Sequence, residues 1–174
     1  MFSYANDNNG VYPDGNSSTE VFQKLMDGGY VTDPALFYLP LAGKEKAVAG
    51  QKLKPENVCW DVTSGVDSNA PDGLPLIFMT GYKVTYAPGA SAVPIIKPYP
   101  PFWGEGTWSQ WWQHDSAPAQ GPPGIAVFYK GTNAMFKNLD TTASTGGSIP
   151  NFIPPDFQPD DKTYRQLTPD GVLP

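Results

Sequence analysis

Proline and glycine interrupt this chain so often that every apolar run is short and ends at a turn signal. The 20 Pro and 18 Gly are dispersed among aromatic and apolar runs. That distribution implies many turns and long irregular connections in a folded, loop-rich domain rather than outright disorder. The strand-like runs are residues 57–63, 76–80, 83–86 and 124–129, rich in Val, Ile, Phe and Tyr and separated by Gly, Pro, Asp or Asn clusters. Brief connections favour antiparallel pairing in one sheet over crossover units. Residues 133–139 suit either a strand or a helix. Residues 87–101 and 141–174 are crowded with Pro and Gly and are expected to wrap the surface or form loops. No repeat period is present.

Helix signals gather near the start. Phe2, Ser3, Tyr4 and Ala5 suit a helix that Asn6-Asp7-Asn8-Asn9-Gly10 stops, because Asn and Gly accept the left-handed conformation that ends helices. So short a helix is marginal alone, so residues 1–9 read as the end of a helix whose beginning is missing. Residues 17–27 form the first complete signal. Ser17 and Glu20 make a capping box, Phe22, Leu25 and Met26 share a face, and Gly28-Gly29 ends it. Asp33 before Pro34 starts another turn. Residues 43–54, of mixed charge, read as an exposed connection.

With 174 residues, 40% of them apolar, the chain has material for one domain with a core, spanning 1–174. A formal charge of −6 leaves no basic footprint for nucleic acid or anionic lipid. One cysteine, Cys59, cannot form an intrachain disulfide, and its place between Val58 and Trp60 suits a small buried hydrophobe. No stretch approaches the roughly 20 apolar residues that span a bilayer, and no signal-peptide pattern opens the chain.

Three constellations invite a chemical reading. Residues 61–73 (DVTSGVDSNAPDG) crowd oxygen-bearing side chains around glycine, as calcium loops do. The spacing is one residue too long before Asp72, and no Glu closes it, so an ordinary hairpin or Asx-turn loop without bound calcium is expected. Residues 102–115 (FWGEGTWSQWWQHD) hold four of the five tryptophans. Trp108, Trp111 and Trp112 have helical spacing and suit a packing cluster under a loop, while Trp103, Trp108, Trp111 and Trp112 are also the candidate partner or glycan contact. Glu105 with Asp115 would be a glycosidase-like pair only if they converged in space. His114, the one histidine, followed by Asp115, makes no triad by adjacency. No nucleophile elbow, phosphate loop, dinucleotide fingerprint or zinc spacing accompanies it. These residues give a non-enzymatic, loop-rich α+β domain with no catalytic, cofactor or metal residues.

Several stretches carry a family likeness. Residues 4–13 (YANDNNGVYP), 28–34 (GGYVTDP) and 37–40 (FYLP) resemble the region after the long N-terminal helix in bacterial type IV pilin-like and type II secretion pseudopilin-like proteins. The nearest likeness is to prepilin-type proteins of Verrucomicrobia and related bacteria. Residues 58–72, 80–89, 111–115 and 164–171 resemble later parts of that group. The resemblance implies a pilin-like head, in which the end of a truncated helix and a short helix pack on an antiparallel sheet. It also implies a structural subunit of a pilus or pseudopilus, anchored in the inner membrane by a missing apolar helix and then displayed in the periplasm or at the cell surface. Partners would be other pilin or pseudopilin subunits, met through that helix, with the isolated head a monomer or weak associator. Relatives are expected to carry Cys where this chain has Leu39, which leaves Cys59 without an obvious partner. No calcium ligands carry over, since nothing after Gly124 matches the calcium loop of secretion-type major pseudopilins. Two other classes stay open: a surface adhesin or glycan-binding module using the Trp-rich loop, and a secreted hydrolase using Glu105 and Asp115.

Overall fold

The computed structural model describes residues 1–41, 43–95, 124–138, 140 and 148–173. The first helix, α1 (Phe2–Asp7), stops where Asn9 and Gly10 take φ values of 56° and 80°, the left-handed turn these two residues tolerate best. Helix α2 (Ser18–Asp27) begins at Ser17, whose hydroxyl accepts from the Glu20 N–H at 3.1 Å. The Glu20 carboxylate reaches back to the Asn16 N–H at 2.7 Å, one residue beyond the usual box. Asp33 caps a single 3-10 turn (Pro34–Phe37) by accepting from the Ala35 N–H. A second 3-10 turn spans Pro55–Asn57.

The strands are β1 (Trp60–Ser64), β2 (Pro75–Met79), β3 (Tyr82–Val84), β4 (Ala92–Pro94), β5 (Gly124–Tyr129), β6 (Ala134–Asn138), β7 (Arg165–Thr168) and β8 (Gly171–Val172). The fold is α+β, with every ladder antiparallel. One sheet expected from the sequence is in fact two. Six strands run in the order β6-β5-β2-β1-β7-β8, while β3 and β4 form a separate pair. Gly81, with a φ of 103°, turns the chain out of the main sheet after β2, so β3 cannot continue that ladder.

Residues 133–139 resolve as strand β6. Residues 87–101 and 141–174, expected as loops, contain β4 and the pair β7–β8. Strand β7 lies beside β1, with Val62 opposite Leu167 and Thr63 opposite Gln166. Residues 43–54 are not wholly exposed, since Lys44 and Leu53 are buried.

Alternation divides the main sheet into two faces. On one, Val62 and Leu167 meet Val21, Phe22 and Leu25 of α2, joined by Phe37, Leu53 and Val58. On the other, Leu76, Phe78, Ile125 and Val127 pack with Tyr82, Val84, Ala92, Ile149, Phe152 and Ile153. The β3–β4 pair therefore covers the face opposite α2. Phe22 is 2% exposed and stacks on Phe37 with ring centroids 4.4 Å apart. Phe22→Ala is expected to cost about 3–5 kcal/mol, read by urea denaturation. A loss below about 1 kcal/mol, the range of a tolerated surface change, would contradict the placement of α2 in the core.

Candidate functional site: a buried carboxyl and a bare apolar half-face

Trp103, Trp108, Trp111 and Trp112, together with Glu105, His114 and Asp115, lie outside the described residues. The described chain does place the calcium-like stretch. Asp61 is not in a loop at all but on β1, buried against the second sheet. Asp67 accepts from the Asn69 N–H and pairs with Lys162, and Asp72 pairs with Lys130 at 3.1 Å. Lysines thus occupy the carboxylates that a cation would need. Among the described residues, no group of three or more His, Cys, Asp or Glu converges as a metal site.

Asp61 gathers in the interior with two polar side chains that the sequence did not single out, Gln166 and Lys44. Gln166, 3% exposed, projects from β7 toward β3. Its Oε1 accepts from the Val84 N–H at 3.0 Å, and its Nε2 donates to the Tyr82 carbonyl at 2.5 Å. The same Nε2 donates to Asp61 Oδ2 at 2.6 Å. The amide thereby satisfies two outward backbone groups of β3, whose other edge pairs with β4, and spends its second hydrogen on the carboxyl. Among the described residues, buried Asp61 Oδ1 has no partner at hydrogen-bond geometry, although the Thr80 side chain lies beside the carboxyl.

Burial pushes the Asp61 carboxyl up to about 7, against the side chains of Thr80 and Gln166 and the positive charge of Lys44. Lys44, 7% exposed, donates to the carbonyls of Pro55 at 2.7 Å and of Val58. Burial brings its ammonium down to about 8, opposed by Cys59, Asp170, Asp61 and Glu56. Burial also raises the phenols of Tyr82 and Tyr86, the latter within 2.9 Å of the Thr63 hydroxyl. All three side chains of the cluster are buried. The one legible trace was an aspartate at an alternating position inside a strand-like run.

Cys59 is buried too, with its sulfur against the backbone of Leu39. The Leu39 N–H donates to Sγ at 3.1 Å, and Sγ lies 3.4 Å from the Leu39 carbonyl. Burial raises this thiol, so it stays protonated.

Among the described residues, part of the main sheet's α2 face has no cover. On the α2 face the helix covers β1 and β7, while Trp60, Ile77, Phe128 and Phe136 lie toward the β5–β6 edge. Trp60 and Phe128 meet edge to face at 5.9 Å. Phe128 is 43% exposed and Phe136 62%. Met1, at the start of α1, packs against both core clusters, as Trp60 and Ile77 do. No described helix is long and apolar enough to cross a membrane. No family model, no curated protein and no solved structure matches this chain.

The Asp61 proton sets a pH dependence. The unfolded chain releases it near 3.9 and the folded chain at about 7. Between those values the folded state binds more protons, so this group's contribution to stability falls as the pH rises. Asp61→Asn keeps an acceptor for Gln166 and removes the ionisation. Denaturation across pH 4–8 is expected to show near-equal stability of the two proteins at the acid end. The variant should gain by as much as about 4 kcal/mol at pH 8. Parallel profiles would contradict the buried, proton-holding carboxyl.

Proposed function

We propose that this chain is the head of a type IV pilin-like or type II secretion pseudopilin-like subunit, joined through α1 to an apolar N-terminal helix. That helix anchors the subunit in the inner membrane before assembly and packs among its neighbours in the filament. The observation that carries the reading is the half-covered sheet face. Exposed Phe128 and Phe136 continue half-buried Trp60 and Ile77 into an apolar strip beside the α2-covered half that no described element covers, and Met1 packs against both core clusters. A helix running back from α1 has this strip as its floor. Burial of such a surface contributes roughly 25 cal/mol per Å² removed from water.

Leu39 is a departure from the resemblance, which implies cysteine there in relatives; its backbone N–H donates to Cys59 Sγ at 3.1 Å.

Two measurements follow from this reading. Expression of the complete gene is expected to give an inner-membrane protein whose head is exposed to protease on the periplasmic side, and which enters sedimentable filaments when an assembly system is present. A fully soluble monomer from the complete gene would refute the reading. Leu39→Cys is expected to close a disulfide with Cys59 in an oxidising buffer, with both thiols lost to alkylation and a stability gain of about 3 kcal/mol. Two persistently free thiols would put the side chains of positions 39 and 59 out of bonding reach.

A further inference from the structure

One asparagine of the nine in the chain has a hydroxyl residue two places on: Asn16, in Asn16-Ser17-Ser18. With serine rather than proline between them, these residues form the acceptor motif for N-linked glycosylation. The structure sets the asparagine outside and the hydroxyl inside. Residues 12–16 form neither helix nor strand, and Asn16 is exposed at their end. Its N–H donates to the Glu20 carboxylate at 2.7 Å, and its carbonyl lies beside Gly171 of β8. Ser18, by contrast, is the first residue of α2 and is buried, at 0% exposure.

The fold makes no use of that buried hydroxyl. Ser17 caps the helix through the Glu20 N–H, and Thr19 ties the first turn to the Pro169 carbonyl at 2.9 Å. Among the described residues, Ser18 Oγ has no hydrogen-bond partner. A hydroxyl buried without a partner weakens a fold, and alanine, the better helix former, fits the same place. A polar group that the folded state bears without using points to a use before folding.

We propose that Asn16 is the acceptor of an N-linked glycan, transferred from a polyprenyl-diphosphate-linked oligosaccharide to the exported chain before α2 docks. A bond forms between the Asn16 amide nitrogen and C1 of the first sugar. The C1–O bond to the diphosphate breaks with its electron pair on oxygen, and one amide proton passes to solvent. The Ser18 hydroxyl is needed only at that stage, while the chain is extended and the hydroxyl and the amide are both accessible to the transferase. Once α2 closes on β1 and β7, the hydroxyl is lost to the core and the glycan stays outside. It stands near β8, the last strand of the main sheet. A bulky hydrated group there discourages edge-to-edge pairing with other chains. Export rests on the pilin-like reading, while the motif and its divided burial belong to the head alone.

Export of the 174-residue chain behind a signal peptide, in a bacterial host carrying an oligosaccharyltransferase and its polyprenyl-linked donor, tests the proposal by intact mass. A single glycan is expected, with modification reduced about tenfold or more in Asn16→Gln and in Ser18→Ala. Folded chain purified from the cytoplasm and given the same enzyme and donor is expected to take up about a tenth as much or less, because the first turn of α2 must open before transfer. Urea denaturation separates this role from a structural one. Unmodified Ser18→Ala is expected to unfold at the same midpoint as the wild type or a higher one. An exported chain without glycan, a glycan that survives Asn16→Gln, equal modification of the folded chain, or a lower midpoint in Ser18→Ala would overturn the proposal. The experiment supplies its own signal peptide, so its failure leaves the pilin-like reading to be judged separately by the complete gene.

Discussion

A single side-chain amide, that of Gln166, joins two sheets that share no ladder. A β-strand edge turned inward presents backbone N–H and C=O groups that are costly to bury unpaired. Strand β3 turns such an edge toward the main sheet, and Gln166 supplies what a neighbouring strand would have supplied: an acceptor for the Val84 N–H and a donor for the Tyr82 carbonyl. The remaining amide hydrogen goes to Asp61. The β3–β4 pair is thereby fixed on the face opposite α2.

The arrangement has an energetic tension. Asp61 stands directly opposite Phe78 of β2, and among the described residues one of its buried oxygens has no partner at hydrogen-bond geometry. Holding a proton avoids a naked charge there, which is why the carboxyl titrates far above its usual range. Lys44 has the opposite problem and gives up its proton early. Neutral forms of both groups suit the interior better than ions do, so the two pull the stability in opposite directions at the two ends of the pH scale. Asp61 favours the fold in acid and Lys44 favours it in base.

Local chemistry was readable where it is self-contained. Ser17 and Glu20 announce α2, Asp33-Pro34 announces a turn, and the apolar run 124–129 coincides with β5. The N-terminal helix stop at Asn9 and Gly10 was also legible. Strand β7 was not, because Arg165-Gln166-Leu167-Thr168 has only one large apolar residue and earns its place by pairing with β1 a hundred residues away. Strand β4, Ala92-Val93-Pro94, sits among prolines that read as loop, and its partner was assigned to the wrong sheet. Lys44 looked exposed in a charged segment, yet the carbonyls of Pro55 and Val58 bury it. The buried cluster escaped detection for the same reason: Lys44, Asp61 and Gln166 are far apart in sequence, and only the tertiary fold makes them neighbours. The exposure of Phe128 and Phe136 was likewise invisible, since alternation alone does not tell which part of a sheet face a helix covers.

Amide hydrogen exchange at Val84 tests the central claim most directly, because that N–H is held by a side chain rather than by a strand. In the wild-type chain it is expected to be protected to a degree comparable with the amides paired between β1 and β2. In Gln166→Leu that protection should be lost at Val84, while the β1–β2 amides exchange no faster than the overall loss of stability requires. Unchanged protection at Val84 in a folded Gln166→Leu protein would contradict the view that one amide ties the second sheet to the first.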